Sequence, residues 1–300
     1  MGATRSTAGE VTRAYLRDQV SSLRSHDVGF RRGTADAVHQ LRVSTRRIRG
    51  ALTTFRRILD RDATRELSAE LRWLAACLAP ARDTEVLHQQ LAVQLAALPS
   101  ELVIGPVEAY LVRYLGQQEA DASAAALAAL DSPRYAALLR SLDRLVAEPP
   151  FTAEARRPAR TELRKPIRRA DRELRTAADR LAGLTECPDL DAALHEVRKE
   201  AKRAGYAADV AIPVSGKRLR HWRRRVKAIQ RTLGEHHDCV LAQATLREIG
   251  ARAHRDGADT FTYELLRAHN TMIADAHRRT FTKQWRAPHT GQIPHWLHAR

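Results

Sequence analysis

The chain repeats itself. Val38-His39-Gln40-Leu41-Arg42, continuing to Arg46-Arg47, returns as Leu194-His195-Glu196-Val197-Arg198, continuing to Lys202-Arg203, so that His195 lies 156 positions after His39. Further on, Leu67, Leu71, Leu74, Leu78 and Asp83 return as Trp222, Val226, Ile229, Leu233 and Asp238, at an offset of 155. Two dissimilar stretches returning at nearly one offset imply a duplicated unit, and two copies of it fill a 300-residue chain. Whatever each copy folds into must also be able to pack against its twin.

The period inside each copy is that of a helix. Val38, Leu41, Ile48, Leu52 and Phe55 recur at the spacing that puts apolar side chains on one helical face. Only 5% of residues are aromatic, and Ala, Leu and Arg dominate over β-branched runs, so the side chains favour helix almost throughout. Expected helices cover about 35–59, 67–78 (ending near Pro80), 83–98 and 107–130, with Asp131-Ser132-Pro133 opening another as cap and first-turn proline. Pro149-Pro150 divides the halves. A long basic helix is expected at about 154–184, kinked at Pro166, then a turn at Cys187-Pro188-Asp189 and a helix carrying His195. Pro213 to Gly216 breaks the chain before helices at about 217–233, 238–256 and 259–279. The domain organisation is thus a body at 10–285, with repeat one at about 10–148 and repeat two at about 151–285, between frayed ends at 1–9 and 286–300.

Charge narrows the partner. The chain has 51 Lys and Arg against 35 Asp and Glu, a net charge of +16. Only six of the 51 are Lys; the rest are Arg, whose donor fork matches phosphate oxygens. Residues 1–155 carry 20 basic and 18 acidic groups, whereas 156–300 carry 31 and 17. A polyanion is the implied partner. Three cysteines (Cys77, Cys187 and Cys239) without CxxC spacing make no disulfide framework. The longest apolar run, residues 124–130, is far short of the roughly 20 needed to span a bilayer. A cytoplasmic protein with no membrane partner is expected.

The basic residues lie in rows. His39, Arg42, Arg46 and Arg49 stand on one helical face beside the apolar stripe, where helices meet. His195, Arg198 and Lys202 repeat the row, with Gly205 where a fourth cation is predicted, and Lys199 and Arg203 form a parallel one. Another row runs through Arg157, Arg160, Arg164, Arg168, Arg172 and Arg175; a fourth is Arg220, Arg223 and Lys227, of which Lys227 matches Arg72. The ordinary fate of a charge run is a solvated surface. Duplication beside a core stripe argues against that here, because like-charged rows repel unless an anion or carboxylates neutralise them.

These pieces resemble a known family. VHQLRVSTRRIRGALTTF, its echo LHEVRKEAKRAGYAA, and LAPARDTEVL with LGEHHDCVL look like the two repeats of a CHAD domain, the conserved histidine α-helical domain, over roughly residues 10–285. The resemblance implies an all-α fold of two pseudo-symmetric four-helix bundles whose basic residues bind inorganic polyphosphate, and so a place at polyphosphate granules. Carried across, it puts His39, Arg42, Arg46, Arg49, His195, Arg198, Lys199, Lys202 and Arg203 at matching positions; the other basic rows add Arg72, Arg164, Arg168, Arg172, Arg220, Arg223 and Lys227 as binding candidates.

Other chemistry is weaker. Nonspecific nucleic-acid binding is the alternative, but the basic rows lack the interleaved aromatics on which bases stack. His236, His237, Asp238 and Cys239 cluster, yet adjacent histidines on a helix point apart and Asp83 has Arg82 beside it instead of His. Asp83 and Asp238 fit better as caps or as partners of an Arg. No metal, cofactor or catalytic group is assigned: nucleophile elbow, HExxH and a dense carboxylate cluster are all missing from the sequence. A metal-dependent phosphate-processing enzyme is the remaining alternative to a binding module.

Overall fold

The computed structural model describes residues 6–183 and 189–286. Within them every extended regular element is helical: α1 (Ala8–Arg31), α2 (Ala37–Thr54), α3 (Arg65–Cys77), α4 (Ala79–Ala96), α5 (Val107–Leu130), α6 (Pro133–Ala147), the short α7 (Ala159–Glu162), α8 (Arg164–Asp179), α9 (Asp189–Arg255) and α10 (Phe261–Arg286).

Local chemistry explains where several of these start. Thr7 and Glu10 form a reciprocal capping box, Glu10 N–H donating to Thr7 Oγ1 at 3.2 Å and Thr7 N–H to Glu10 Oε2 at 2.9 Å. The helix therefore begins inside the stretch expected to be frayed. Backbone bonds from Ala8 N–H to the Arg157 carbonyl and from Ala159 N–H to the Ser6 carbonyl, both 2.9 Å, tie this end to the segment between the halves. Ser132 caps α6 by accepting from Tyr135 N–H, with Pro133 following.

Several expected boundaries move: the helix expected at 35–59 ends at Thr54, with Phe55 as its C-cap, and that expected at 259–279 runs on to Arg286. The basic helix of 154–184 is instead a 3-10 turn at Ala153–Arg156, then α7, then α8; Pro158 and Pro166 each lack the N–H that a continuous helix would use. Helix α4 begins at Ala79, not near Asp83, because Pro80 is accommodated in its first turn. In the second half the counterpart of Pro80 is Glu235, which keeps its N–H, and α9 runs straight through 234–238 where a break was expected. The real interruption of α9 is at Gly216 (φ 75°, ψ −162°), with Pro213 held in the helical turn before it. The Cys187-Pro188 part of the expected turn, and residues 287–300, lie outside the described residues.

Matched stripes are buried alike. Leu67, Leu71, Leu74 and Leu78, and their counterparts Trp222, Val226, Ile229 and Leu233, are all in the core, as are Leu41, Ile48, Val197 and Ala204. The core does not divide at Pro149-Pro150, however. The larger cluster joins α1, α2, α3 and α6 to α8 and residues 189–233 of α9. The smaller takes α4 and α5 from the first half, and the end of α9 with α10 from the second: Leu91, Leu111 and Leu115 against Leu246, Ile249 and Tyr263. Both clusters draw on both halves of the chain.

Candidate functional site

Where the halves meet, α2 and α9 approach closely. At Gly50 a Cβ would lie 3.0 Å from the Tyr206 ring, so a side chain there would press on that ring where the helices pass. The cations of both stripes project into one cleft of about 580 Å³ beside this crossing. His39, Arg42 and Arg46 enter from α2; His195, Arg198 and Lys202 from the first stretch of α9. Helix α4 adds Arg82 and Asp83, and the later part of α9 adds their counterparts His237 and Asp238. The duplication has put equivalent residues on opposite walls.

Pairing distinguishes equivalents. Arg42 is spoken for: its Nη1 donates to Asp83 Oδ1 at 2.9 Å and to the Ala79 carbonyl at 2.8 Å, tying α2 to α4 with the side chain only 12% exposed. Asp83 thus orients an arginine from within α4. Arg82 bonds Glu85 Oε2 at 2.8 Å and reaches Asp36 at 3.5 Å. Among the described residues, Arg46, Arg198 and Lys202 have no hydrogen bond or ion pair, and Arg198 Nε and His195 Nδ1 are buried without a partner. Five cations line the cleft (Arg42, Arg46, Arg82, Arg198, Lys202) against two carboxylates, Asp83 and Asp238.

The electrostatics follow. Burial, then Arg46, Arg198 and Arg42, push the Lys202 amine down to about 6. His237 falls to about 4 through burial and the nearby Arg198 and His195; the two imidazole rings lie 4.8 Å apart. Burial also lowers His195 and His39, each with neighbouring cations reinforcing it. Asp238 is raised by burial despite Arg198. Every shift disfavours the charged form, the signature of groups held out of water with too little opposite charge beside them.

The basic surface continues past the cleft. Arg49 is partly buried and its pKa is lowered by burial and by Arg72, Arg203 and Arg46, so Arg46 links the cleft to a second cationic group. Other candidates are more neutralised or lie elsewhere. Lys199 bonds Glu196 at 2.8 Å, Arg203 pairs with Glu200, and Arg223 grips Asp209 through Nε at 2.6 Å and Nη2 at 3.1 Å. The Arg223 guanidinium fills the room left by Gly205, 3.3 Å from where its Cβ would be. Arg164, Arg168, Arg172, Arg220 and Lys227 are not among the cleft's lining residues; all but Arg164 are exposed.

Sequence reasoning overlooked Arg82 as a site residue, and weighed His237 only within a metal cluster. The signal was available: at the 155 offset they are equivalent, one step before the paired aspartates. His236 turns away to Asp191, 3.5 Å from its Nε2, while His237 faces the cleft. Among the described residues no three metal-ligating side chains converge.

A CHAD domain family model matches residues 14–247, which contain both stripes and the whole cleft. The chain belongs to the CHAD family. Rv2226 of Mycobacterium tuberculosis (strain ATCC 25618 / H37Rv) and MT2285 of strain CDC 1551, both described as uncharacterized proteins, are each 36% identical to it over 263 residues. The match takes in 86% of this chain and 49% of each relative, so this CHAD chain spans about half the length of the curated relatives it matches. Among solved structures, PptA from Streptomyces chartreusis superposes with a TM-score of 0.77 at 26% identity, covering 93% of this chain and 99% of PptA. The CHAD domain from the plant Ricinus communis superposes at 0.69 with 23% identity, covering 99% and 93%. The all-α fold is shared with both. No helix among the described residues is long and apolar enough to cross a membrane.

Proposed function

We propose that this CHAD chain binds inorganic polyphosphate in the cleft between its halves, as a binding module without catalysis, and thereby gathers at polyphosphate granules in the cytoplasm. The observation that carries the reading is the set of basic side chains with no hydrogen bond or ion pair among the described residues, Arg46, Arg198 and Lys202, drawn from both repeats into one space, with Arg198 Nε buried. A buried unpaired charge is costly. A flexible polyanion threading the cleft offsets that cost at several positions at once and gives each guanidinium charge-assisted bonds. Among the described residues the lining includes no Phe, Tyr or Trp, so the cleft suits phosphates without bases better than a single-stranded nucleic acid, whose bases need stacking partners.

The test is a titration with long-chain polyphosphate beside single-stranded DNA and RNA of equal charge, at one salt concentration because salt sets all such affinities. Tighter polyphosphate binding supports the reading, and equal or tighter nucleic-acid binding replaces it with the nucleic-acid one. Incubation with polyphosphate and divalent ions should leave the chain length unchanged; shortening would make the protein an enzyme.

A further inference from the structure

The cleft holds more positive charge than it can keep while empty. Lys202 lines it from α9, together with Arg42, Arg46 and Arg198 and with no ion pair of its own among the described residues. From α2 it faces Arg42 and Arg46, and from its own helix Arg198, one turn earlier. Asp238, further along α9, is the carboxylate that acts on it, and lies beyond ion-pair distance. Asp83, on α4, is engaged by Arg42. The remaining titratable groups of the walls, His39, His195 and His237, are each depressed first by burial and then by nearby cations: Arg82, Arg46 and Arg42 beside His39, and Arg198 and Lys202 beside His195 and His237.

Arginine cannot relieve this repulsion by losing a proton, because its guanidinium stays charged at any ordinary pH. Lysine can, and a buried lysine does so readily. The consequence is a division of labour within one row: Arg46 and Arg198 are permanent charges, and Lys202, which stands where the first repeat has Arg46, is the adjustable one. We infer that binding of a polyanion in this cleft is coupled to proton uptake, with Lys202 as the principal acceptor and the His195–His237 ring pair as a lesser one. This rests on the polyphosphate reading of the same site and adds its regulation: occupancy falls as pH rises.

The sign follows from linkage. In the empty cleft the amine sits near 6, so at pH 7.5 it is mostly neutral. Phosphate oxygens beside it favour the ammonium form and raise its pKa toward the ordinary value for lysine, about 10.4. Between those two limits the bound state holds one more proton than the free state, so affinity falls about tenfold per pH unit. An all-arginine cleft would show no such slope.

Calorimetric titration with long-chain polyphosphate at pH 7.5, in HEPES and in Tris, measures the protons exchanged through the different ionisation heats of the two buffers. Wild type is expected to take up close to one proton per binding event. Lys202→Arg is expected to bind and to lose most of that uptake. The pH profile of wild-type affinity between pH 7 and 9 is the second measurement, independent of any variant. Binding by wild type without proton uptake and with a flat profile overturns this inference alone, as does an unchanged uptake in Lys202→Arg. Absence of polyphosphate binding by wild type overturns the site reading and takes this inference with it.

Discussion

At the scale of the residue, Arg42 and Arg198 are equivalents in sequence that the structure treats differently. Arg42 is a strut, bonded to Asp83 and to the Ala79 carbonyl; Arg198 is buried with its Nε unpartnered. Arg198→Met is expected to weaken polyphosphate binding by about tenfold or more, since a charge-assisted hydrogen bond contributes roughly 1.5–3 kcal/mol. Thermal stability should be unchanged or higher, because an unpaired charge leaves the interior. Arg42→Met should lower both affinity and melting temperature, because it also unties α2 from α4. Isothermal titration and thermal unfolding of the two variants separate these outcomes; equal stability loss in both would mean that Arg198 has a structural partner after all.

At the scale of the element, the decisive position is Gly216. Its φ of 75° with ψ of −162° lies in a region open essentially to glycine, and this single residue lets α9 turn three positions after Pro213, which is itself inside the helix. Gly216→Ala is expected to destabilise by about 1–3 kcal/mol, lowering the melting temperature by roughly 2–10 °C. Gly116→Ala is the matched control: it lies within α5 with nothing within 4 Å of an added Cβ, so it should be neutral or stabilising. A differential scan of the two variants checks the contrast, and equal melting temperatures would remove Gly216 as the hinge of the long helix.

At the scale of the whole molecule, the net charge of +16 and the joint cores act together. The halves share both apolar clusters, so the cleft between them is a rigid meeting of packed helices and not a loose interdomain gap. Five cleft cations, with Arg49, Arg72 and Arg203 beyond them, make about eight phosphate contacts available. Log affinity should therefore fall with log salt at a slope of about −5 to −6, by the single-strand value of −0.7 per neutralised charge. Titrations across a range of sodium chloride concentrations give that slope directly, and a value near zero would exclude a polyanion held by this surface.

The sequence by itself determined the helical class and the apolar stripes, because a period near 3.6 is written in consecutive residues and is the same wherever the helix ends up. Leu71 and Val226 are buried at matching places for that reason. It also placed His39, Arg42, Arg46, His195, Arg198 and Lys202 beside core positions, and these six do share one cleft. Only the tertiary structure decided what each cation meets. Asp209 neutralises Arg223 across the bend at Gly216, Asp83 engages Arg42 from another helix, and no described residue bonds Arg198. It also decided that each core draws on both halves, with the first repeat's α4 and α5 packed on the end of α9 and on α10. Periodicity tells which face of a helix is apolar or charged; which other face it meets depends on crossing angles and contacts between residues far apart in the chain. Pairing distances of a few ångströms are set there, and with them the difference between a neutralised surface charge and a binding group.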